Sequence, residues 1–139
     1  MTPDMLEIRR ADTHGDRLVA VFPAEVDISN ADQLREALLR ALNGNVRILI
    51  IDMSTTTFCD VSGVHVLERA HQRAHACGTE LRLVVTAPIV RRVLMLNGLH
   101  RIFAIYPSLS SACPDQGAVR RRALTGLARR WRSPWFTRG

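Results

Sequence analysis

The stretch that most limits what this chain can become runs from Val46 to Gly63, VRILIIDMSTTTFCDVSG. Its opening, Val46-Arg47-Ile48-Leu49-Ile50-Ile51, is short, β-branched and almost uninterrupted by polar residues. Such a run suits a strand covered on both faces of a sheet better than a helix. Asp52 is expected to end it, followed by a polar turn, Ser54-Thr55-Thr56-Thr57, and a brief apolar return at Phe58-Cys59. Asp60 then reads as the N-cap of a helix opened by Val61, Ser62 and Gly63. A strand, turn and helix in this order project side chains and helix-terminal amides from a rigid scaffold, the usual setting of a recognition site.

The flanking segments supply the rest of a layered domain. Leu6 to Arg10 alternates apolar and polar residues, Thr13 to Asp16 carries turn residues, and Arg17 to Phe22 is a second strand, so the chain opens with a hairpin. Pro23 closes that strand. Ser29 is expected to cap a first helix, with Asp32 three residues on and Leu34, Ala37, Leu38, Ala41 and Leu42 at helical spacing up to Asn43-Gly44. A second helix over about Ser62 to Cys77 puts Val64, Leu67, Ala70, His71 and Ala74 on one face, with Gly78 as its C-cap. Leu81 to Val85 is the next strand. A third helix starts at Ala87-Pro88, presents Ile89, Val93, Leu94 and Leu96, and stops at Gly98. Ile102 to Tyr106 is a last short strand, and Pro107 to Ala112 one more helical turn. Strands separated by helices of this length imply an α/β fold with a mostly parallel five-stranded sheet, about four helices and an antiparallel first strand.

The order of these pieces resembles the STAS domain, and specifically the bacterial anti-sigma factor antagonists. The likeness rests on Asp52, the loop and Phe58-x-Asp60-x-Ser62-Gly63, on Glu25-Val26-Asp27, on Leu34 to Leu38, and on Arg91 to Leu99. It implies a partner-binding module whose contacts come from Glu25, Asp27, Asp60, Val61, Ser62, Gly63 and Val64. The implied partner is an anti-sigma factor of the serine-kinase type, and the implied effect is release of a sigma factor without contact between the domain and DNA. A homodimer is left open. Alternatives within the same resemblance are a scaffold or regulatory STAS module in a signalling or lipid-transport assembly, and a nucleotide-binding STAS domain.

One position departs from the pattern. Regulated members carry a phosphate-accepting serine directly after the aspartate, where this chain has Val61. Ser62 matches the second hydroxyl residue and His65 stands where glycine is frequent. A phosphate switch at the usual place is therefore not expected, and Ser62 or the threonines 55–57 are its only substitutes nearby. Ala24 also stands where glycine is usual before Glu25.

Composition divides the chain. Residues 1–113 hold 12 arginines against 12 acids, whereas residues 114–139 hold 7 arginines against Asp115 alone, so the formal net charge of +6 sits in the tail. A STAS domain over 1–113 and a basic, disordered or conditionally helical tail over 114–139 follow. That tail, with Trp131, Trp135 and Phe136, is suited to an anionic membrane, nucleic acid or an acidic protein. The N-terminus has no basic and then apolar leader, and no apolar run approaches the roughly 18 residues of a membrane span. A cytoplasmic protein is expected, with Cys59, Cys77 and Cys113 as reduced thiols.

Catalysis and metal chemistry find little support. There is no phosphate loop, G-x-S-x-G elbow or dinucleotide fingerprint. His71 and His75 lie four residues apart, but no carboxylate or cysteine completes a ligand set and His65 is off their face. Neither a metal nor a cofactor is expected. Cys59 beside Asp60 is expected to be a core thiol, because a carboxylate neighbour and burial both disfavour the thiolate.

Overall fold

In the computed structural model, residues 6–10 and 16–112 are described. Strands β1 (Glu7–Arg10), β2 (Arg17–Val21), β4 (Ile48–Met53), β6 (Glu80–Val85) and β7 (Ala104–Tyr106) form one sheet in the order β1-β2-β4-β6-β7. Only the β1–β2 pair is antiparallel. The two-residue strands β3 (Glu25–Val26) and β5 (Phe58–Cys59) make a separate parallel pair. Helices α1 (Ala31–Leu42), α2 (Val61–Cys77), α3 (Pro88–Leu96) and α4 (Leu109–Ala112) complete the set.

Parallel crossovers share one hand, and here they all step the same way across the sheet. The three long helices therefore gather on one face. Leu49, Ile51 and Met53 of β4 meet Leu34 and Leu38 of α1, Leu67 of α2 and Leu94 of α3 in the main core. The alternate residues Ile48 and Ile50 turn to the opposite face, where Val19, Val84, Tyr106 and Ala112 of α4 form a smaller cluster. All six residues of β4 are buried, as its apolar run demands.

Three polar residues, Arg17, Asp52 and Arg82, are buried within that second face, and the bonds of Arg82 tie it to α4. Its guanidinium is almost wholly buried, with Nε donating to Glu80 Oε2 at 2.9 Å and Nη1 to the Ala112 carbonyl at 2.8 Å. A buried cation is tolerated only when paired in this way, and the second bond fastens the end of α4 to the sheet.

Three boundaries and the inward face of α3 differ from expectation. The central strand runs on through Asp52 and Met53, because Asp52 is paired on both sides, with Val21 and Val84, and its Oδ1 accepts the Ser54 N–H at 2.9 Å. Asn30, not Ser29, occupies the cap position of α1. The last strand starts at Ala104, since Leu99–Arg101 form a 3-10 turn that Phe103 N–H closes onto the Leu99 carbonyl at 3.0 Å. In α3 the inward residues are Val90 and Leu94, while Ile89 and Leu96 are exposed. The expected tail over 114–139 lies outside the described residues.

Candidate functional site

The site is built where β3 and β5 pair, beyond the C-terminal end of β4. The register sets Glu25 beside Phe58 and Val26 beside Cys59. In each two-residue strand the first side chain points out and the second in: Glu25 and Phe58 are exposed, Val26 and Cys59 buried. The Ala24 carbonyl accepts the Thr57 N–H at 2.8 Å and the Val26 carbonyl accepts the Asp60 N–H at 3.2 Å, so the two loops are held side by side. Thr56 is buried and its hydroxyl donates to the Pro23 carbonyl at 2.8 Å, pinning the threonine turn beneath.

Asp60 caps α2, its Oδ1 accepting the Ser62 N–H at 2.8 Å. The first turn of α2 then packs on the small sheet at very close range. A Cβ on Gly63 would lie 2.5 Å from Cys59 Sγ and 2.9 Å from Val26 Cγ1, so only glycine lets the helix approach. Val64 is buried below it at 2% exposure.

The acidic loop is equally ordered. Asn30 is buried and spans it, Oδ1 accepting the Asp27 N–H at 3.1 Å and Nδ2 donating to the Glu25 carbonyl at 2.8 Å. This is why it does not cap α1 through its side chain. Ser29 donates both its hydroxyl and its N–H to Asp27 Oδ1. Those two bonds, the hydroxyl first, hold the Asp27 carboxyl below the usual carboxylate range, and it stays charged at neutral pH.

Of the seven residues read from the sequence, Glu25, Asp27, Asp60, Val61 and Ser62 share this surface. Gly63 and Val64 are buried and shape the turn from within, because the core reaches as far as Val64 and stops short of Val61 one turn earlier. Two exposed apolar residues escaped the sequence reading. Ile28 projects from the acidic loop at 83% exposure, and Phe58, read as an apolar return, is 48% exposed beside Glu25. Val61 is 55% exposed.

Three apolar side chains stand among three carboxylates, an arrangement that fits an apolar patch rimmed by cations. Cys59 lies underneath, and burial first, the Asp60 charge second, pushes its thiol up to about 12. A pKa raised from 9.0 in the unfolded chain favours the neutral thiol in the fold. Its stabilisation is complete below about 9 and is lost as pH rises towards about 12. Iodoacetamide at neutral pH is expected to alkylate exposed Cys77 within the time that leaves Cys59 untouched, as read by peptide mass mapping. Equal labelling of the two would contradict the burial.

Elsewhere, His71 is half-buried and packs edge-on against Phe103 at 5.4 Å between ring centres, while His65 and His75 are exposed. Among the described residues no three His, Cys, Asp or Glu side chains converge on a common point for a metal, and no helix is long and apolar enough to cross a membrane.

Residues 7–112 match the STAS domain family. A Mycobacterium tuberculosis protein named as an anti-anti-sigma factor is 32% identical over 107 residues, covering 74% of this chain and 72% of that one. The crystal structure of an anti-sigma factor antagonist from Mycobacterium paratuberculosis superposes with a TM-score of 0.70 at 27% identity, over 86% of this chain and 97% of its own. A Thermotoga maritima structure named for the same role gives 0.71 at 25% identity, over 86% and 97%. With the two-sheet fold, the Asp60 cap and these likenesses together, the chain belongs to the STAS domain family, among its anti-sigma factor antagonists.

Proposed function

We propose that this protein is a non-catalytic, cytoplasmic antagonist that docks an anti-sigma factor of the serine-kinase type and thereby frees a sigma factor. The observation that carries the reading is the exposed set Ile28, Phe58 and Val61, gathered with Glu25, Asp27 and Asp60 on the loops beside the α2 N-terminus. Solvent-facing apolar side chains on so ordered a turn stabilise a complex better than they serve the isolated fold.

The same surface supports an antagonist that phosphate does not turn off at the usual place. Val61 offers no hydroxyl and Thr56 is buried and bonded, so any phosphate would have to fall on half-buried Ser62 or on exposed Thr55 or Thr57. The test is to incubate the protein with anti-sigma kinases from its own genome and ATP, reading binding and intact mass together. Binding without mass gain is expected. Absence of binding to every such kinase would overturn the reading in favour of a STAS scaffold, and a phosphate mapped to Ser62 would overturn the loss of the switch.

A further inference from the structure

Helices α1 and α2 pack side by side, and the furrow between them holds two depressions end to end. The first, about 260 Å3, opens beside Ser62 and is lined by Ile28, Arg35, His65, Val66 and Arg69, with Asp32 at its edge. The second, about 240 Å3, continues from the shared Arg69 past Leu39, Gln72, Arg73 and Ala76. Together they make one groove with a partly apolar floor and a cationic wall.

The wall has a regular spacing. His65, Arg69 and Arg73 recur every four residues on α2, so they stand one turn apart over about 12 Å. All three are exposed. Arg35 faces them from α1, where it meets Asp32 at 3.6 Å in a pair whose aspartate is 86% exposed. Such a pair is weak and exchanges readily for another carboxylate. Asp32 is the one acid lining either depression among the described residues.

We propose that this groove docks an acidic amphipathic segment of a protein partner, with carboxylates on Arg35, Arg69 and Arg73 and apolar side chains over Ile28, Val66 and Leu39. The charge of the groove selects the class. The chain's own residues 114–139 carry 7 arginines against one acid and are repelled by it, so the occupant comes from another molecule. No Phe, Tyr or Trp lines either depression, so a single-stranded nucleic acid would find no row of stacking platforms beyond the lone His65 ring. The groove is a second surface of opposite sign from the acidic turn, meeting it at Ser62 and Ile28, and it stands whichever protein the turn binds.

The test uses the full chain, isotope-labelled, titrated with a synthetic peptide that alternates glutamate and leucine and, separately, with a single-stranded DNA oligonucleotide of equal charge. Amide shifts from the peptide are expected along Arg35, His65, Arg69, Gln72 and Arg73. In the R69E/R73E variant the peptide is expected to bind about tenfold or more weakly, with R69K/R73K retaining most of the affinity and added salt reducing it. Thermal melts of both variants are expected to match the parent, since both positions are exposed. Shifts confined to residues 120–138, peptide affinity unchanged in R69E/R73E, or tighter groove binding by the oligonucleotide would each overturn the proposal.

Discussion

Gly63→Ala is expected to cost about 2 kcal/mol of stability, although alanine is the better helix former. The new methyl would sit 2.5 Å from Cys59 Sγ and 2.9 Å from Val26 Cγ1, both buried and neither at the end of a long flexible side chain. Either α2 lifts from the small sheet or the β3–β5 pair is pushed aside. For a chain of this size the melting temperature should fall by roughly 10 °C. The accommodation also displaces the strands that carry Glu25 and Phe58, so partner affinity should fall more than the residual folded fraction explains. Cys59→Ala removes the nearer obstacle. In the double variant the two losses should therefore add to less than their sum by about 1 kcal/mol, the coupling expected of residues in contact. Denaturant melts of the four proteins give that coupling directly, and strict additivity would mean that the close approach is not what excludes a side chain at Gly63.

That close approach was not legible in the sequence, and the reason applies to most of what was missed. The unbroken apolar run Val46–Ile51 and the helical spacing of Leu34, Leu38 and Leu42 are local patterns, so the buried central strand and the α1 core face could be read directly. Strands of two residues have no period to read. The β3–β5 pair depends on residues more than thirty positions apart, and that pairing is what holds Val26, and Cys59 beside it, against Gly63. Nothing in the strand Leu81 to Val85 singles out Arg82, because its acceptor, the Ala112 carbonyl, comes thirty residues later. In α3 the expected Leu94 and Val93 do reach the core, while Ile89 and Leu96 are exposed and Val90 takes the inward place, since 89, 93 and 96 share a face as readily as 90 and 94. Ser29 and Asn30 are both good caps by residue type, and only the bonds from Asn30 to Glu25 and Asp27 decide how that loop is closed. The candidate site was therefore legible as a set of motif positions, while its division into exposed contacts and buried supports was not.

Val61→Asp separates binding from folding at the same residue. Helix α2 has no acidic residue in its first turn, and position 61 is its first residue, so a carboxylate there faces a favourable helix dipole. The side chain is 55% exposed and leaves no cavity when replaced. Stability should be unchanged or rise by about 0.5 kcal/mol. Docking should respond in the opposite sense. Val61 stands among Ile28 and Phe58 on the surface proposed to meet the partner, and a charge carried into that contact must give up its hydration without a designed counter-ion. Adjacent Asp60 adds repulsion of like sign. A loss of about 2 kcal/mol or more in binding, roughly thirtyfold, is expected by calorimetry against the anti-sigma kinase that binds the parent. Val61→Ser should bind as the parent does until ATP is added to a kinase partner, then gain one phosphate at that residue and dissociate. If Val61→Asp binds as tightly as the parent while equally stable, position 61 lies outside the interface, and a phosphate there could not have served as the switch.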